Sequence, residues 1–91
     1  MEIFDDAQDR AAGEKFLDWR IRWPEGFVIN YKSPNNVMLH RAKCGHFTFK
    51  ESDEVNLAAS KKICSLDREE VESWATREGI AHVKLCQHCK L

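Results

Sequence analysis

The sequence predicts a small α+β domain, and three observations carry that prediction. Apolar residues recur with a helical period at 5–23 and at 65–79 of the 91-residue chain, with β-branched and aromatic segments between them. A chain this short buries a modest core, and scaffolds of this size often carry a metal or disulfides. Soft and borderline ligands also cluster twice, in His40-Arg41-Ala42-Lys43-Cys44-Gly45-His46 and in Cys86-Gln87-His88-Cys89. Thiolate and imidazole at such spacings are what zinc takes in tetrahedral sites closed by four protein groups. The expected fold is one zinc-stabilised domain over 1–91. It has an N-terminal helix within 1–26 and a core over 27–91, made of a short antiparallel sheet and one helix before a C-terminal C-x-x-C knuckle.

Taken in order, Asp5 or Asp6 is placed to cap the first helix, and acids in its first turns suit the positive end of the dipole. Ala7, Ala11, Phe16, Trp19 and Trp23 share a face, which assigns the stripe Phe16, Trp19, Trp23 to the core. Gly13 weakens the helix, and Pro24 with Gly26 ends it. Phe27 to Tyr31 reads as a strand. Lys32 to Asn36 holds several turn formers in a row, and Val37 to His40 is the returning strand. His40 then stands at a strand end, where the chain turns into the knuckle and Gly45 relieves the backbone after Cys44. His46 to Lys50 alternates as a third strand would, 51–60 is a polar loop, and Lys61 to Cys64 is a short strand. Ser65 reads as the N-cap of the second helix, with Asp67, Glu69 and Glu70 near its start. Arg77 lies near its end, Gly79 sits where a C-terminal cap belongs, and Trp74 faces the core. Ile80 to Leu85 runs extended into the final knuckle.

The ligand reading competes with blander ones. A redox C-x-x-C needs a following helix to activate its first thiol, and only Lys90 and Leu91 follow Cys89. Cys64, beside Ile63 and a helix cap, reads as a buried structural thiol. His46 is one residue from Cys44, a tighter spacing than zinc usually takes. His88 lies inside the knuckle, and His82 reads as an ordinary surface or sheet residue. The expected site is one structural zinc on His40, Cys44, Cys86 and Cys89, with His46 and Cys64 as the residues that would replace one of them.

Charge adds less. The hydrophobic fraction of 43% and charged fraction of 32% suit a soluble globular chain, and no apolar run approaches a membrane span. The acidic start MEIFDDAQDR has no apolar signal core, so the cytoplasm, where clustered cysteines are more often metal ligands than disulfides, is the expected location. A net charge of -1 speaks against a strongly basic nucleic-acid binder. The bases nevertheless concentrate in 19–50, as Arg20, Arg22, Lys32, Arg41, Lys43 and Lys50 against one acid, Glu25. Such a segment between acidic flanks reads as a phosphate-facing patch of a nucleic-acid-binding module. The alternative is a protein-interaction adaptor, suggested by the near-zero charge, the acidic first helix and three tryptophans, with Trp19 as a candidate anchor. No phosphate-binding glycine loop is present. Four protein ligands would leave zinc no open position for a catalytic water, so no enzyme activity is expected.

The order H-x-x-x-C, strand-like residues, a helix ending near Gly79 and then C-x-x-C resembles the zinc-binding N-terminal domain of the Ada DNA-repair protein, over residues 37–89. That family carries C-x-x-x-C in place of the first motif. The resemblance implies a compact α+β zinc fold, ligation by His40, Cys44, Cys86 and Cys89, and contact with the DNA backbone. In that family the first zinc cysteine accepts a methyl group from a phosphotriester. His40 stands at that position, and zinc-bound imidazole is a much poorer acceptor than thiolate, so the alkyl transfer is not expected here.

Overall fold

The computed structural model describes residues 1–5, 7–43 and 61–86. The elements run β1 (Glu2–Phe4), α1 (Ala12–Arg22), β2 (Phe27–Ser33), β3 (Asn36–Arg41), β4 (Lys61–Ser65), α2 (Arg68–Arg77) and β5 (Lys84–Leu85). One five-stranded sheet has the order β1-β4-β2-β3-β5. The helices cover opposite faces of it, as strand alternation requires. Val28 and Cys64 pack with Ala12, Phe16 and Trp19 of α1. Their neighbours Ile29 and Ile63 pack with Val71, Trp74 and Ala75 of α2.

The α+β class holds, but the sheet is mixed rather than antiparallel. β2 pairs antiparallel with both β3 and β4, so β3 and β4 share a direction. Helix α2 carries the chain back after β4, and a strand entered from such a crossover runs parallel to the one before it. β5 therefore lies parallel to β3 at the sheet edge. β1 was not expected at all. Its three residues pair with β4 and send Phe4 onto Phe16, their ring centroids 6.0 Å apart.

Both helices start later than their sequence signals. Asp5 accepts the amide of Ala7 and Asp9 accepts that of Ala11, so these carboxylates hold turns, and α1 begins only at Ala12. The N-cap of α2 is Asp67, which accepts from the Glu69 amide, and not Ser65. Ser65 instead accepts the Asp67 amide and donates to Glu70. The C-terminal signal reads true. Gly79, at φ +74°, lets the Ile80 amide reach the Ala75 carbonyl while its own reaches Thr76. Trp23 departs from its expected place in the core, being 42% exposed, while Phe16 and Trp19 are buried. Among the described residues no helix is long and apolar enough to cross a membrane. The expected strand 46–50 and loop 51–60 lie outside the described residues.

Candidate metal centre

Of the four expected ligands, His40 and Cys86 are described, and the fold sets them side by side. The β-ladder pairs Leu39 with Leu85, and the Cys86 amide donates to the Leu39 carbonyl at 3.0 Å. In a parallel ladder, that bond puts Cys86 opposite His40. Both face the α1 side. Leu39 belongs to the α2 cluster, so His40 alternates to the other face, and Cys86 packs within the α1 cluster. His40 is 4% exposed and Cys86 2%. Among the described residues, every buried side-chain nitrogen and oxygen has a hydrogen-bond partner. Cys44 and Cys89 lie outside the described residues, four after His40 and three after Cys86. Among the described residues no three His, Cys, Asp or Glu side chains gather around one point.

Cys64 occupies the same cross-strand row but not the same place. The register reads Glu2, Cys64, Val28, His40, so Val28 separates Cys64 from His40. Two strand spacings amount to about 10 Å, far beyond what one ion bridges with bonds of roughly 2 Å. Burial, reinforced by the Glu2 carboxylate, pushes the Cys64 thiol well above its ordinary range. Such a thiol stays protonated and inert. His82 is exposed ahead of β5, while His46 and His88 lie outside the described residues.

The chain beyond His40 is held from two directions. Ala42 is fully buried, and its amide donates to the Gly26 carbonyl at 2.8 Å. Its own carbonyl accepts Nε–H of Arg20, from the last turn of α1, at 2.5 Å. Burial lowers the pKa of this guanidinium. Gly26 makes the close approach possible, since a Cβ there would stand 2.5 Å from the Trp19 ring. The sequence marked Gly26 only as a helix stop. Its packing role depends on a ring seven residues earlier and leaves no local signal.

The six candidate basic residues divide. Arg20, Arg41 and Lys43 lie near the end of β3, with Arg20 on the α1 side. Arg41 lies over the Phe27 ring, 5.5 Å from its centroid, on the α2 side. Lys43 is exposed and pairs with Glu25 at 3.2 Å. Arg22 is exposed at the end of α1 and lines a groove with Trp19 and Trp23. Lys32 is exposed at the hairpin end of β2, about 17 Å along the strand from Phe27. Lys50 lies outside the described residues. Trp19, the candidate anchor, is buried. The exposed apolar group near it is Trp23, with Met1 and Leu66 around a cavity of about 260 Å³. The chain matches no protein family, no curated protein and no solved structure.

Proposed function

We propose that the chain is a small zinc-stabilised domain that binds nucleic acid with the end of the sheet next to its metal. One structural zinc is held by His40, Cys44, Cys86 and Cys89. The observation that carries this reading is the burial of His40 and Cys86 side by side at the ends of β3 and β5. The donor set suits zinc, and the ion would supply a cross-link between two chain segments far apart in sequence. The ligand order is the one that resembles the Ada-type zinc domain. His40 at the alkyl-accepting position keeps the proposal to binding and leaves methyl transfer out of it.

The nucleic-acid reading draws on Arg20, Arg41 and Lys43, which lie near the end of β3. The Lys43–Glu25 pair is exposed on both sides, so its strength is small and a phosphate can displace the carboxylate. Zinc-loaded protein should shift short DNA or RNA duplexes and single strands at low salt. Arg41→Glu with Lys43→Glu should retain zinc, weaken binding and flatten the salt dependence by about two counterions. Wild-type protein that shifts none of these probes contradicts the nucleic-acid reading.

A second reading, a protein-interaction adaptor, has its own observation in the exposed Trp23, Met1 and Leu66 around their cavity. It predicts a partner whose capture is lost in Trp23→Ala and unchanged in the charge-reversed variant.

A further inference from the structure

The edge of the sheet away from β3 and β5 is formed by β1, and its chemistry is independent of any metal. Among the described residues β1 pairs with β4 alone, so the backbone on its outer side has no strand beside it. Natural edges are often blunted by proline, by a bulge or by inward-pointing charge. Glu2–Phe4 holds no proline, and its ladder with β4 runs in unbroken register. Exposed apolar side chains gather at the same edge. Met1 and Ile3 belong to it, and Trp23 and Leu66 share a cavity with Met1 and Glu2. Ile3 lies on the α2 face next to Ile63, yet it is 46% exposed while Ile63 is fully buried. Unpaired N–H and C=O groups along an edge are matched by another extended backbone. We infer that β1 is a docking edge for a second copy of this chain, the two β1 strands pairing antiparallel about Ile3 into one continuous sheet. The strand is self-complementary in that arrangement. Ile3 meets Ile3 on the α2 face, and Glu2 meets Phe4 twice on the α1 face, so no like charges are opposed. Lys15 lines the grooves beside β1 together with Glu2 and Phe4. Across the two-fold axis it comes beside the Glu2 of the second copy. In the single chain Lys15 pairs with Asp9, both of them exposed, and such a pair is weak enough to be exchanged. The edge adjoins the exposed group of the adaptor reading, but Ile3 rather than Trp23 marks it. Two strands of 3 residues cover much less than the ~1,600 Å² of a standard interface, so the dimer is expected to be weak.

Sedimentation equilibrium on the full chain, from low micromolar to millimolar concentration, reads the dimer. The wild type should pass from monomer to dimer over that range. Ile3→Lys sets two ammonium groups opposite each other on the two-fold axis and should leave only monomer, with circular dichroism confirming an intact fold. A charge swap is more specific. Glu2→Lys and Lys15→Glu should each be monomeric alone, because each opposes like charges at the contact. An equimolar mixture of these two variants should dimerise, because every cross-chain contact between them is then of opposite sign. Should Ile3→Lys fail to fold, the mixture carries the test by itself. A wild type that stays monomeric at millimolar concentration overturns the inference. So does a dimer that persists in Ile3→Lys, which would put the contact on another face, and so does a mixture that stays monomeric. An edge used instead by an extended segment of a different protein would show as a monomeric wild type whose partner is lost in Ile3→Lys and kept in Trp23→Ala. That result overturns the second copy as the occupant.

Discussion

Lys62 is the residue most out of keeping with its surroundings. It sits in β4, buried, with Nζ donating to Asn30 Oδ1 at 2.7 Å and lying 6.0 Å from the centre of the Phe16 ring. Burial, and then the like charge of Lys32, lower its pKa to about 8. The sign of the consequence follows from proton counting. Below pH 8 the side chain is charged in both states, and the folded state bears the cost of burying it. Between pH 8 and about 10.4 the unfolded chain binds more protons than the native one, so stability rises with pH in that window. The gain is at most about 3 kcal/mol. Urea unfolding at pH 7.5 and pH 10 should show the wild type gaining on Lys62→Met between the two. Parallel pH profiles for the two proteins would contradict the account. The sequence showed none of this. Lys62 follows Lys61 in a segment that reads as a short strand, and only the register of β4 between β1 and β2 decides which of the two lysines turns inward.

Among the elements, β5 has the least of its own to hold it. Its two residues are both exposed, and its ladder to β3 has two pairs. What anchors it is the Cys86 amide bond to Leu39 and the burial of Cys86. On the zinc reading the metal pins this end, so chelation should free β5 before the rest of the sheet. Hydrogen exchange on metal-free protein should show the Cys86 amide losing protection while β2 and β4 keep theirs. A Cys86 amide equally protected with and without metal would mean that the ladder alone suffices. The elements also separate what the sequence discloses from what it hides. β2, β3, β4 and the Gly79 terminus were legible because period-2 alternation, a turn cluster and a left-handed glycine are local signals. The starts of α1 and α2 were misplaced because Asp5, Asp9, Ser65 and Asp67 all offer side-chain oxygens to nearby amides. Which of them caps a helix and which holds a turn depends on tertiary packing. β1 was missed because three residues give no period, and it exists only by pairing with β4.

At the scale of the whole molecule, two segments far apart in sequence meet where β3 and β5 end, and on the zinc reading a metal joins them. The sequence offered this through ligand type and spacing, and the fold sets His40 and Cys86 adjacent by register. It could not show the division of the basic residues between the two faces, because charge is read along the chain whereas a face is assembled across strands. Nor could it show that Trp23 rather than Trp19 is exposed, since both lie on the same helical stripe and differ only in what covers them. The same row that joins His40 to Cys86 sets Cys64 apart behind Val28, which makes the three thiol and imidazole positions separable by mutation. Elemental analysis of purified protein should find about one zinc per chain in the wild type and in Cys64→Ala, and none in Cys86→Ser. A metal-free wild type, or full zinc retention in Cys86→Ser, would contradict the account.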